Sequence, residues 1–189
     1  MSAGSAVQTI KLMKLACSLG VGLAAASMTT RASAEGPSVG GHIGLATPIV
    51  TVSKTTTTIG DGLTLLTPLG VTVKPGGKLA IDFEVVVATP VSKPDGNGLV
   101  IDPGIVYNWG AFATGLRLAF KTNHVTNVGV IPLINFGLAD LGGATWFIEA
   151  AFPTFVESEA DEVPVGSTEA PKHHARGEFN AVLHTGFGF

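Results

Sequence analysis

Cysteine is nearly missing from this chain: Cys17 is the only one among 189 residues. A disulfide framework is therefore excluded, and no CxxC pair exists. Basic residues are scarce too, 11 Lys and Arg against 14 Asp and Glu. A chain this poor in cations carries no electrostatic footprint for nucleic acid, and no nucleic-acid partner is expected. Charged residues make up 13% and hydrophobic residues 46%, yet beyond residue 34 no run of 18 apolar residues occurs. That rules out a membrane-spanning helix there. The chain also lacks a P-loop, a dinucleotide fingerprint, a G-x-S-x-G elbow and His-Glu pairs at metalloprotease spacing. No cofactor and no metal is expected.

The first 34 residues read as a secretory signal. Lys11 and Lys14 form the positive region, Leu15 to Ala26 the apolar run, and Ala32-Ser33-Ala34 an A-x-A cleavage site. Cys17 lies inside this run with Lys14 where a lipoprotein signal requires an aliphatic residue, so it reads as packing. Residues 35–189 then form one domain. Of the 11 basic residues, Lys11, Lys14 and Arg31 are lost, which leaves eight against all 14 acids and takes the net charge from −3 to −6.

The apolar surplus of this domain is spread over about eight extended segments: Val39–Val52, Leu63–Val73, Lys78–Thr89, Leu99–Asn108, Ala111–Lys121, Val125–Phe136, Ala144–Phe155 and Glu178–Phe189. The third alternates most cleanly, with Leu79, Ile81, Phe83, Val85 and Val87 on one face and Ala80, Asp82, Glu84, Val86 and Ala88 on the other. In the first, Pro48 marks a bend or bulge. Short Gly-containing turns follow the second, fourth and sixth segments. Longer polar connections begin at Ser53, Pro90 and Val156, the last running to Gly177, and only the one near Thr122 is brief.

The final segment, EFNAVLHTGFGF, places Phe179, Ala181, Leu183, Thr185, Phe187 and Phe189 on one face. Chain ends fray unless tied down, and an aromatic strand exposed to water is costly. This ending resembles the C-terminal strand of bacterial outer-membrane β-barrels, which typically ends on Phe. With the alternating turns and loops, residues 35–189 resemble the small eight-stranded members of that class, the outer-membrane protein A transmembrane-domain, OmpX and OmpW types. The resemblance implies a closed, all-β, antiparallel up-and-down transmembrane barrel in the bacterial outer membrane. Its implied partners are membrane lipid, lipopolysaccharide and the barrel-assembly machinery, which would read Phe187 and Phe189; a monomer is expected. Tyr107, Trp109, Phe112 and Trp146 fall near the short-turn end and would form an aromatic girdle.

Five ionisable residues fall mid-strand on inward faces: Asp82, Glu84, Asp102, Arg117 and Glu149. They are expected to form a lumen network, with Arg117 beside Asp102 and Glu84 one strand further on. Lys121, His42, His184, water or a bound cation would balance the surplus of acids, or one carboxylate would stay protonated. Such a network is either a plug or a narrow cation pathway. His124-Val125-Thr126-Asn127 resembles the His-x-Ser-Asn motif of outer-membrane lipid A deacylases, with Thr in place of Ser. The nearest downstream acid, Asp140, is at the wrong end, so no enzyme is expected. Glu157, Glu159, Asp161, Glu162, Lys172, His173, His174 and Arg176 read as a solvated, self-paired loop. The expected role is structural or passive, a scaffold presenting loops with at most a narrow small-solute pore. The rivals are a barrel enzyme modifying outer-membrane lipid and a soluble periplasmic β-barrel with an apolar ligand inside.

Overall fold

The computed structural model describes residues 36–54, 56–91, 98–122, 127–160 and 173–189, without the side chains of 158–160 and 173–174. The segment expected to be a signal, residues 1–34, lies outside them. Among the described residues every element is a strand: β1 Ser38–Val52, β2 Thr56–Thr58, β3 Thr64–Lys74, β4 Leu79–Pro90, β5 Gly98–Asn108, β6 Ala113–Lys121, β7 Asn127–Asp140, β8 Thr145–Ala151, β9 Thr154–Ala160 and β10 His173–Gly188. All pairings are antiparallel, and β1 on β10, from His42 opposite Gly188 to Val52 opposite Phe179, closes the sheet on itself. A closed sheet has no edge left to aggregate.

The ten strands make eight staves. β2 only returns onto the end of β1, with Thr58 opposite Val50. β8 and β9 form a single stave between β7 and β10, because the register runs on unbroken from Ala151 to Thr154 on both sides. The gap is chemical, since Pro153 has no N–H to give. Phe152 N still donates to Pro132 O at 2.9 Å, and Asn180 N to Pro153 O at 2.8 Å. The result is a closed eight-stranded antiparallel barrel.

Period-two alternation sorts the side chains. Leu79, Ile81, Phe83 and Val87 of β4 are exposed outside while Ala80, Asp82, Glu84 and Val86 are buried inside. Ile43, Leu45, Leu69, Val71, Ile105, Leu116, Leu118, Val130 and Leu183 continue the apolar outer wall around the ring. The register slips between Pro48 and Val50, leaving Ile49 unmatched. This bulge switches the inward parity of β1, so that Pro48 faces Val182 but Thr51 faces Asn180. A second slip, between Gly137 and Ala139, lets β7 run to Asp140 instead of turning at Gly137.

Both described ends of the barrel chain, at β1 and β10, lie at the rim carrying the tight turns of residues 75–78, 109–112 and 141–144. Gly76, Gly77, Gly110, Gly142 and Gly143 take positive φ there, the conformation those turns require. The opposite rim carries the longer connections. One of these is shorter than expected: residues 156–160 and 173–177 are paired strand, not loop, with Arg176 opposite Glu157. The segment from Ser53 likewise contains β2.

Candidate functional site

The charged residues meet across the lumen in the half nearer the short turns. Arg117, 4% exposed, donates from Nη2 and Nε to Asp82 Oδ2 at 2.7 and 2.9 Å. Its Nη1 reaches Glu84 Oε1 at 3.3 Å and Glu149 Oε1 at 3.4 Å. The planar, five-donor fork suits a junction of several carboxylates. Glu84 Oε2 lies 2.6 Å from His42 Nε2, and Glu149 Oε1 lies 3.4 Å from His184 Nδ1. Thr72 Oγ1 donates to Asp82 at 2.6 Å and Asn135 Nδ2 to Glu149 at 3.1 Å. Phe147 packs edge-on against both imidazoles, with ring centroids 5.0 Å from His184 and 6.3 Å from His42.

Two glycines make these reaches possible. Arg117 stands opposite Gly104, and Gly104 opposite Asp82, so the guanidinium crosses a strand that presents no side chain. A Cβ on Gly104 would sit 2.5 Å from Arg117 Cγ. In the same way His42, opposite Gly70, lies across it to reach Glu84, and a Cβ on Gly70 would overlap the imidazole. The expected pairing of Arg117 with Asp102 is therefore corrected. Side-chain alternation gives the face of a residue, whereas partners are set by register and by which neighbour is empty.

A second polar layer lies towards the other rim. Lys121 Nζ contacts Glu157 Oε1 at 2.5 Å and Glu178 Oε1 at 2.9 Å, and lies 4.2 Å from the centre of the Phe155 ring. Asn127 Nδ2 reaches the same Glu157 oxygen at 3.2 Å, and Asn180 Nδ2 reaches Glu178 at 2.8 Å. Glu157 was expected in a solvated loop; it faces inward because β9 continues the stave beyond Pro153. Between the layers lies an apolar waist of Ala46, Ala119, Ile131, Leu133, Ala151, Phe155 and Val182, with Leu66 and Val100 packed on it. A partly open cavity of about 200 Å³ lies along this waist, bordered by Glu84, Asp102, Arg117, Glu149 and His184 on one side and by Lys121, Glu178 and Asn180 on the other.

All five expected lumen residues are buried inward: Asp82, Glu84, Asp102, Arg117 and Glu149. Four join one network; Asp102 does not. Tyr107, Trp109 and Trp146 are exposed on the outside near the short turns, with Phe112 half-buried beside them. Tyr107 lies 4.6 Å from Trp109, which stacks on Phe112 at 6.3 Å, and Trp146 Nε1 donates to Thr185 Oγ1 at 2.9 Å. Phe187 and Phe189 project from the end of β10, and Phe189 is tied to Gly41 by two backbone bonds of 2.8 and 2.9 Å. His124 and Thr126 fall outside the described residues, as do Asp161, Glu162 and Lys172. Among the described residues no group of three His, Cys, Asp or Glu is arranged to hold a metal.

Comparison of the chain with protein-family models, with curated proteins and with solved structures finds no match. Function therefore has to be argued from the barrel itself.

Proposed function

We propose that this chain is an outer-membrane barrel with a structural or passive role, a lipid-embedded scaffold whose lumen is closed by the Arg117 network. One observation carries the proposal: polarity is inverted, with Leu, Val, Ile and Phe outside and Asp, Glu, Arg and His inside. In water such an outer wall would forfeit about 1.5–3 kcal/mol for each large side chain left unburied. In a bilayer the same wall is in its preferred solvent, and a closed sheet pairs the backbone of each strand with its neighbours on both sides. A soluble barrel around an apolar ligand requires the reverse facing. Tyr107, Trp109, Phe112 and Trp146 would lie at one membrane interface, lipopolysaccharide would meet the longer loops, and Phe187 and Phe189 would present β10 to the assembly machinery.

The network supports a plug more than a pore. A guanidinium tied to carboxylates from β4 and β8 braces opposite walls, and an eight-stranded closure leaves little more room than its side chains fill. The test is a semi-native gel of protein folded into detergent or lipid vesicles. A compact band converted to a slower one by boiling is expected, and Leu116→Arg, placing a charge on the outer wall, should lower stability in vesicles by about 2–4 kcal/mol. A folded protein with no need of detergent and no heat shift would refute the membrane assignment.

A further inference from the structure

Seven of the eight staves contribute a bonded side chain to the Arg117 network: His42, Thr72, Asp82 or Glu84, Arg117, Asn135, Glu149 and His184. The exception is β5. Its inward carboxylate, Asp102, is 1% exposed, and its Oδ1 has no hydrogen-bond partner among the described residues. An unpaired carboxylate so deeply buried is expensive, and this one stands directly opposite a second acid, Glu84. The acids of this layer also outnumber its guanidinium: Asp82, Glu84, Asp102 and Glu149 stand against Arg117, and Lys121 is occupied by Glu157 and Glu178.

Asp102 also lines the cavity of about 200 Å³. Most of the remaining wall is hydrocarbon, including Leu66, Val86, Val100, Ile131 and Phe155, with Glu84, Arg117, Glu149 and His184 of the network bordering the end where Asp102 stands. Lys121, Glu178 and Asn180 stand towards the longer-loop rim. An apolar cavity of about 150 Å³ is enough to take benzene. We propose that this cavity binds a small organic monocation, an ammonium bearing an apolar group about the size of a benzene ring. The charge would sit on Asp102 and the apolar part against the hydrocarbon wall. A divalent metal is disfavoured because hydrocarbon makes up most of the wall and, among the described residues, no three His, Cys, Asp or Glu are arranged to hold one. An anion would meet the carboxyl groups of Glu84, Asp102, Glu149 and Glu178 in the same wall, and a purely apolar molecule would leave Asp102 Oδ1 without a partner. The inference concerns the barrel interior and does not depend on lipid outside it.

The test uses the full chain folded into nonionic detergent, with a boil-sensitive band confirming that each sample is folded. Titration calorimetry would compare benzylammonium with its neutral counterpart, benzyl alcohol, subtracting the heats of empty micelles. Saturable one-to-one binding of benzylammonium is expected, at least tenfold tighter than benzyl alcohol. Asp102→Asn should bring the two affinities together, and Val86→Phe, which narrows the cavity and leaves every charge in place, should abolish both. Equal affinities in the native protein, no saturable binding, or a tenfold preference that survives Asp102→Asn would each overturn the proposal. If Asp102→Asn gives no folded band, the native ratio and Val86→Phe decide.

Discussion

The two halves of the lumen use the same chemistry to different ends. In the half nearer the short turns, Gly70 and Gly104 stand beside His42 and Arg117, so large polar side chains reach over empty strands and fill the centre. In the half nearer the longer loops, Leu66, Val86, Val100 and Phe155 occupy the equivalent inward positions, Lys121 stays against one wall with Glu157 and Glu178, and space remains. The glycines, more than the charges, decide where the barrel is closed. A charge that can cross the lumen meets several partners; one that cannot leaves a cavity.

The comparison is broken most severely at Arg117. Arg117→Met strands three carboxylates in a buried site and should cost about 3–5 kcal/mol, the usual penalty for removing one partner of a buried ionic set. Urea unfolding followed on semi-native gels would measure it. Gly104→Ala tests the role given to the empty strand while leaving every charge in place. Its Cβ would press on Arg117 and on the Leu116 carbonyl, each at 2.5 Å, and a loss of about 1–3 kcal/mol is expected on the same gels. A neutral result there would show that the guanidinium does not need that gap.

Lys121→Met should cost less than Arg117→Met, because Lys121 is 18% exposed in its side chain and keeps access to water. The two unfolding midpoints, measured side by side, rank the layers directly. Smallest is the effect at Asp61, on the connection between β2 and β3. The backbone N–H and hydroxyl of Thr58 both donate to Asp61 Oδ2, at 2.7 and 2.9 Å, and hold its carboxyl below the usual value of 3.8. A lowered folded pKa means that the tether is present above pH 3.8 and is lost as pH falls through the lower value. Asp61→Asn should loosen this connection at neutral pH without moving the global unfolding midpoint, as limited proteolysis would show.

Much of this barrel could be read from residue order alone. A strand with lipid-like apolar residues on one side and lumen on the other must alternate, so the facing of Asp82, Glu84, Asp102, Arg117 and Glu149 follows from period two. Pro48 announced its bulge because a proline cannot serve the ladder. Where the signal fails, the contrast between the faces fails with it. β9 and the start of β10 carry Glu157, Ser158, Glu159, Arg176 and Gly177, polar on both sides, and therefore resemble loop although they pair residue for residue. Register is the other blind spot. Nothing in the alternation distinguishes Arg117 opposite Asp102 from Arg117 opposite Gly104, yet that single rung decides which acid is paired and which is left over.

The most direct test of the central claim uses the two tryptophans of the chain, Trp109 and Trp146, both on the outer wall near the short-turn rim. With the barrel folded into vesicles, their fluorescence would be compared using lipids brominated near the headgroup and lipids brominated near the chain end. The account requires quenching by both, stronger from the shallow label, as a girdle at one interface demands. Fluorescence that neither lipid quenches, from a folded protein, would contradict it.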